Sequence, residues 1–284
     1  MAFNIKELLT TAVGTEGSLL LPRKIYDELW DEVQKALVGR ELAALVAGPD
    51  QIPGSSFDIN LVTLNSLNVF QVAEGAAIPS DEAAFSAVNI KPLKYGVRPL
   101  VTKEMLEDGK WDLAVYNMRY GAKKLAENET SLILTALDGV SNTVSGGSAI
   151  TIANITRAQQ YLEDSDFKPK AMLIGPEVLN DLRNIDTFVE ADKLGSREMF
   201  EKGFVGRLFG MNVLMFSANA APTTTYSKYA YVLDTDHCFA IAEKRPVTLE
   251  DYDDKAHDMR GVVITQRVAV ALLRAAAGAR ITTS

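Results

Sequence analysis

The chain has 284 residues, 47% of them hydrophobic and 23% charged, a balance that supplies one or two apolar cores and excludes a disordered chain. With 37 acidic against 29 basic residues its formal net charge is -8, which opposes tight, direct binding to a phosphate backbone. The single cysteine, Cys238, excludes an intrachain disulfide, and the opening MAFNIKELLTTAV has neither the basic start nor the apolar core of a signal peptide. No apolar run approaches a membrane span, so the expectation is a chain made in a reducing cytoplasm with no membrane partner.

In chain order, the GTEGS turn is followed by LPRKIYDELWDEVQKALVGRELAALV, where Ile25, Leu29, Val33 and Leu37, then Leu42, Leu45 and Val46, recur at helical spacing with a break near Gly39. Trp30 reads as an apolar anchor of this helix. GPDQIPGSS is a turn cluster and SFDINLVTL alternates like a strand. Residues 66–73 and 85–101 are predicted to be the two strands of a long hairpin, with a switch of side-chain parity at Pro92 and the small, acidic EGAAIPSDEAA as its tip. A lone two-stranded hairpin is marginal in water because its apolar face has no second layer. This one is therefore expected to lean on another subunit.

A helix capped by Thr102 is predicted over 102–108, with a pause at Gly109 and a long continuation over 112–137, a rod of roughly 39 Å. Leu113, Tyr116, Tyr120, Leu125, Leu132, Ile133, Ala136 and Leu137 are assigned to its apolar side, whereas KKLAENE is polar nearly all round. VSGGS reads as a turn. From Thr151 the pattern becomes α/β: NITRAQQYLEDSDF is a capped amphipathic helix, KAMLIG a buried strand, PEVLNDLRNI a helix with Pro176 at its start, and MNVLMFS, YAYVLDT and CFAIAEK three short strands. MRGVVITQRVAVALLRAAAGARIT closes the chain as one long alternating strand ending on Ile281.

Catalytic chemistry is not found. Ser148 in GGSAI lacks the second glycine of a nucleophile elbow, and GFVGRLFG has the wrong spacing for a dinucleotide fingerprint and precedes a strand. His237 and His257 lie among Asp234, Asp236, Asp251, Asp253, Asp254 and Asp258, but neither zinc spacing nor a calcium-loop pattern is present, and the acidic run reads as a solvated loop. No catalytic residue, cofactor site or metal site is assigned. Arg119, Lys123 and Lys124 on the long helix are the candidates for facing nucleic acid, against a solvated face paired with Glu127 and Glu129.

The order of parts, an arm, a long hairpin, a spine helix, an α/β insertion and a returning strand, resembles the major capsid protein of tailed double-stranded-DNA bacteriophages, the Hong Kong 97-like fold. The resemblance spans nearly the whole chain. It is carried by VAEGAAIPSDEAAFSAVNIKPLKYGVRPLVTKEMLED, similar to the family's extended loop and spine-helix start, by KPKAMLIGPEVLNDLRNI, by RLFGMNVLMFS and by QRVAVALLRAAAGARI. It implies an α+β fold with an N-terminal arm and helix over 1–48, a first peripheral-domain strand over 49–65, the extended hairpin loop over 66–101 and a spine-helix segment of the peripheral domain over 102–150. An α/β axial domain over 151–245 and a returning peripheral-domain strand over 246–284 complete it.

The function implied is a non-enzymatic one, self-assembly into an icosahedral shell that encloses a double-stranded DNA genome without gripping it. The partners implied are further copies of the chain in pentamers and hexamers, portal and scaffolding proteins, and a cement protein. Inter-subunit contacts are expected at Glu74, Ile78, Asp81, Glu82, Phe85, Lys91, Lys94 and Arg98 of the hairpin and at Ile25, Leu29 and Trp30 of the arm, with Arg119, Lys123 and Lys124 facing the lumen. The positions aligned with the lysine, asparagine and glutamate of crosslinking members are Ile78, Asp258 and Thr265, which cannot perform that chemistry. An encapsulin-type shell, which has the same fold and encloses cargo enzymes, is the alternative.

Overall fold

The computed structural model describes residues 39–52, 54–63, 67–108, 113–185 and 204–283; the predicted N-terminal helix with Ile25, Leu29 and Trp30 lies outside the described residues. The chain's longest ladder is the antiparallel pair β11 (Phe239–Asp254) and β12 (Met259–Leu272). Its apolar alternation, as in Val262, Ile264 and Val268, buries one side under a helix, as a half-buried strand requires. β1 (Leu45–Ala47) adds parallel to β11, while β4 (Leu93–Val97) and β5 (Leu100–Thr102) add antiparallel to β12, giving a five-stranded sheet. CFAIAEK is thus the start of a 16-residue strand rather than a short one. Leu45 and Val46, predicted helical, form strand because β11 offers its edge to Ala44, whose N–H donates to the Phe239 carbonyl at 2.9 Å; a ladder partner overrides the local pattern.

Helix α1 (Lys103–Asp108) starts as predicted, with the Thr102 hydroxyl accepting from the Met105 N–H at 3.3 Å. Helix α2 (Leu113–Leu137) then crosses the sheet. Met118, Ala122, Leu125 and Ala126 pack on Val247, Val262 and Ile264, and Ile133, Leu134 and Leu137 continue the same stripe into the larger core. Small residues set the closeness: a Cβ on Gly121 would sit 3.0 Å from Ile264 Cδ1. Tyr116 and Tyr120, predicted on the apolar side, are exposed, because the buried stripe runs through Met118 and Ala122 instead.

The second sheet has six strands in the order β6 (Asn142–Gly147), β13 (Gly278–Thr283), β10 (Tyr229–Leu233), β7 (Ala171–Ile174), β9 (Met211–Met215) and β8 (Phe204–Leu208). α3 (Ile152–Glu163), capped by Thr151, and α4 (Pro176–Arg183), opened by proline, pack on it as predicted. Two expectations fail here. VSGGS is not a turn but most of β6, which finds a parallel partner in β13. The final run is not one strand: it leaves the first sheet after Leu272, turns through Ala275–Ala277 and enters the second as β13. Gly278 permits the transfer, since a Cβ there would lie 2.7 Å from Val140 Cγ1 and 3.3 Å from Cys238 Sγ. The six-stranded sheet therefore draws β6 and β13 from outside residues 151–245.

Three chain crossings between the sheets lie side by side: 138–141, 234–238 and 273–277. Ser141 N–H donates to the Ala275 carbonyl at 3.0 Å, Asp234 N–H to Ala277 at 3.0 Å and Leu273 N–H to Cys238 at 2.8 Å. The buried Asp234 carboxylate also accepts from the N–H groups of Lys168 at 3.3 Å and Asp236 at 3.0 Å. Asp138 gathers the Tyr226 and Tyr231 hydroxyls and Arg280 at the adjoining end of α2.

Candidate inter-subunit surfaces

The hairpin is built by β2 (Phe57–Val62) and β3 (Phe85–Ile90), paired from Phe57↔Ile90 to Val62↔Phe85. Its first strand is thus 57–62; residues 67–73, predicted as that strand, form no ladder. Pro92 ends the second strand, because it has no N–H to continue the pairing and the chain turns there into β4. Lys94, predicted on the hairpin, accordingly belongs to the main sheet's edge, opposite Arg267, and Arg98 to the link between β4 and β5, over the Tyr252 ring at 4.9 Å; Lys91 stands at the turn between β3 and β4.

The expectation that the hairpin lacks a second layer is half corrected. Phe57, Ile59, Val88 and Ile90 face the subunit's own sheet and pack on Ala240, Ala242, Ala269, Ala271 and Leu273, whose small side chains let the two layers approach. Arg274 Nη2 donates to the Val62 carbonyl at 2.9 Å and Lys244 bonds the Gly54 carbonyl, so the root is tied to the body. Beyond Val62 and Phe85 no such support comes from the described residues. Val69 is 101% exposed, Ile78 79% and Phe85 71%, and Val62, Leu67 and Phe70 are exposed with them. Six large apolar side chains on one projection form a patch that water alone does not favour.

The tip is more ordered than its composition suggests. Asp81 accepts from Asn68 N–H at 2.6 Å, from the Asn68 side chain at 3.0 Å and from Glu82 N–H at 3.0 Å, bonds that hold its carboxyl below the usual range. Asp81 thus clasps the two sides of the loop. Glu74 turns the chain with Gly75, whose φ of 78° favours glycine, and Glu82 is exposed. Residues 67–84 contain three acids, Glu74, Asp81 and Glu82, and no lysine or arginine.

Where the arm enters the described structure, Arg40 is clamped between the spine helix and β11. Its guanidinium donates to both oxygens of Glu129 at 2.7 and 2.9 Å and to both oxygens of Glu243 at 2.9 and 3.0 Å; Gln266 Nε2 donates to the same two carboxylates at 2.9 and 3.1 Å. Burial works to lower the pKa of Arg40, but the hydrogen bonds and charges of the two glutamates outweigh it and hold the group above its ordinary value. A register irregularity in β11 after Glu243 accompanies this inward aim. Sequence reasoning missed the network, although Leu125, Glu129 and Ile133 share one helix face and the buried neighbours mark Glu129 as buried too.

Of the basic spine residues, Lys124 pairs with Glu127 at 2.6 Å, and Glu129 serves Arg40 rather than a lysine. The side chains of Arg119 and Lys123 reach the surface. The carboxylates of the acidic turn between β11 and β12 have partners close by: Asp254 is hydrogen-bonded to the His257 ring at 2.8 Å, Asp258 bonds Lys103, and Asp253 lies 3.7 Å from Arg260. Among the described residues no group of three or more metal-ligating side chains comes together, and no helix is long and apolar enough to cross a membrane. Ile78 is exposed at the tip, Asp258 has a φ of 53°, and Thr265 is buried with its hydroxyl 3.0 Å from that of Thr248.

A subunit with a projecting apolar hairpin, an anchored arm and two sheets spanned by one helix is a shell-building part. The chain belongs to the phage capsid family, whose model matches residues 17–282. Its fold is Hong Kong 97-like, as solved structures show. A structure of Mycobacterium phage Che8 is similar with a TM-score of 0.62 at 17% identity, over 80% of this chain and 84% of that one. The capsid of a native GTA particle is similar with a TM-score of 0.61 at 14% identity, over 88% and 90%. A virus-like particle from Pyrococcus furiosus is similar with a TM-score of 0.58 at 15% identity, over 92% and 99%. No curated protein matches the sequence.

Proposed function

We propose that the chain is the major capsid protein of a tailed phage and assembles, as pentamers and hexamers in the host cytoplasm, into an icosahedral shell around double-stranded DNA. The observation that carries the reading, beside family membership, is the hairpin: its root is fixed in the subunit while its outer part offers Val62, Leu67, Val69, Phe70, Ile78 and Phe85 to solvent. A second copy is the partner that covers such a patch wherever the shell is closed. Glu74, Asp81 and Glu82 accompany it as polar contacts, Lys91, Lys94 and Arg98 as a basic edge next to the hairpin root, and Ile25, Leu29 and Trp30 as the arm's contacts. The work is geometric and needs no catalysis. Portal and scaffolding proteins complete the assembly, with a cement protein as a further partner.

The experiment is electron microscopy of the overexpressed chain beside a variant in which residues 67–84 are replaced by a short turn. The intact chain is expected to give closed particles or capsomers, and the shortened one folded subunits with native circular dichroism that do not assemble. A monomer at high concentration across salt and pH sinks the proposal, and so does assembly of the shortened chain. Particles that carry an enzyme with a docking tail instead of nucleic acid favour the encapsulin reading.

A further inference from the structure

One row of the five-stranded sheet sets three cations side by side: Arg245 of β11 stands opposite Arg267 of β12, and Arg267 opposite Lys94 of β4. Side chains directly opposite each other share a face, and like charges so placed repel. The row lies on the face turned away from α2, since Gln266 and Val268, on either side of Arg267, point to the helix and the core. Arg245 reaches it only through a bulge. In a regular strand it would share the face of Glu243, beside the two carboxylates that hold Arg40, but the register shift between Glu243 and Arg245 turns it to the opposite side. No described residue neutralises the row there. None of the three cations belongs to an ion pair among the described residues. Arg267 Nη2 donates to the Pro92 carbonyl at 3.3 Å, and Arg245 Nε is buried with no hydrogen-bond partner among the described residues. The first carboxylate along this face of the ladder is Glu250, opposite Val263 and roughly 13 Å from Arg267 at the rise of a strand.

We propose that Arg245, Arg267 and Lys94 form an oxyanion-binding site beside the hairpin root, one that takes a phosphate or the carboxylates of acidic side chains. A guanidinium meets two oxygens of such a group through its planar fork, and both arginines of the row offer one. The Arg245 N–H that lacks an acceptor gains one, and the repulsion between opposed cations becomes attraction to a shared charge. Two sources supply this chemistry. One is phosphate in solution; the other is the exposed Glu74 and Glu82 on the hairpin tip of another copy, a loop with three acids and no lysine or arginine. The site itself stands on the subunit alone, and only the second source rests on the reading of the chain as a shell protein.

The test titrates inorganic phosphate into the full-length chain below its assembly concentration, at constant ionic strength set with chloride, and follows the phosphorus NMR line width. Each charged partner removed is worth about 10-fold in affinity, so R245Q should weaken binding about 10-fold and R245Q/R267Q about 100-fold. R157Q/K168Q, two exposed cations on and after α3, is the control and should bind as the unaltered chain does. A line width that never responds to phosphate, equal binding by R245Q/R267Q and the unaltered chain, or equal weakening by the control overturns the proposal. If the double variant does not fold, K94Q gives the decision through its own loss of about 10-fold, because an exposed lysine at a sheet edge tolerates glutamine. Closed particles then identify the source. If those of the unaltered chain no longer take phosphate while those of E74Q/E82Q do, the carboxylates of another copy fill the site in the shell. If both take it, the oxyanion is free phosphate, and either result upholds the site. Failure to form particles counts against the shell reading alone, since the titration of the unassembled subunit decides the site.

Discussion

Replacing Arg40 by methionine takes four N–H donors from a site where Glu129 is fully buried and Glu243 nearly so. What is left to neutralise two facing carboxylates is one amide, Gln266 Nε2, shared between them at 2.9 and 3.1 Å. Removing one partner from a buried ion pair costs about 3–5 kcal/mol, mostly because the remaining charge stays buried and unpaired. The Arg40 side chain is 18% exposed, so water reaches part of the gap and the lower end, about 3 kcal/mol, is expected. Urea unfolding of the unassembled full-length chain, followed by circular dichroism, reads the loss. The cause is separable by a companion variant, R40M/E129Q/E243Q. It carries no stranded charge and should recover about 2 kcal/mol or more of that loss. A loss below ~1 kcal/mol for R40M, or a triple variant no better than the single one, would show that the network does not hold the arm's root to the spine.

Ile78→Asp, at an exposed loop position, should change subunit stability by no more than about 0.5 kcal/mol yet block particle formation; assembly at the unaltered rate by light scattering would exclude the tip from the interface. Burial pushes the Cys238 thiol from 9.0 up to about 12, so the native state keeps its proton where the unfolded chain loses it. The stability this contributes is full below pH ~9 and falls by about 1.4 kcal/mol per unit as pH rises toward the folded value. Urea titrations from pH 8 to 11 test this against C238A, which should lose less over the same range. Particles boiled in detergent should run as one band near 30.9 kDa, because Ile78 supplies no nucleophile, Asp258 is a carboxylate paired with Lys103, and Thr265 is buried against Thr248. A ladder that survives reductant would contradict it.

Elements whose signals are local were legible in the sequence. Thr151 accepting from Asn154, Pro176 opening α4, the wholly buried AMLI of β7 and the Thr102 start of α1 all rest on neighbours a few residues away. Elements that exist only because a distant strand receives them were not. β1 needs the edge of β11, β6 needs β13, and the apolar alternation of β2 fits a body strand as well as the hairpin strand that it forms with β3. Glu129 and Arg40 are 89 residues apart, so their pairing leaves no local trace beyond an acid on a buried face. Val69 and Phe70 went unselected for a related reason: within the predicted hairpin strand 66–73 nothing local says which apolar side chains the rest of the subunit leaves uncovered.

The three crossings between the sheets have a mechanical meaning. One connecting strand would act as a swivel, about which the two halves of the subunit could turn freely. Here 138–141, 234–238 and 273–277 are bonded edge to edge and packed without room for a Cβ at Gly278, so they behave as a plate that resists twist. Curvature that differs from one place in a closed surface to another is then absorbed elsewhere. The compliant parts are those joined by fewer bonds, above all the outer hairpin, which leaves the body after the Val62 carbonyl and the Thr63 N–H bond to Ala84. The expectation is a stiff tile with a more compliant strap, in which the strap takes up the bending.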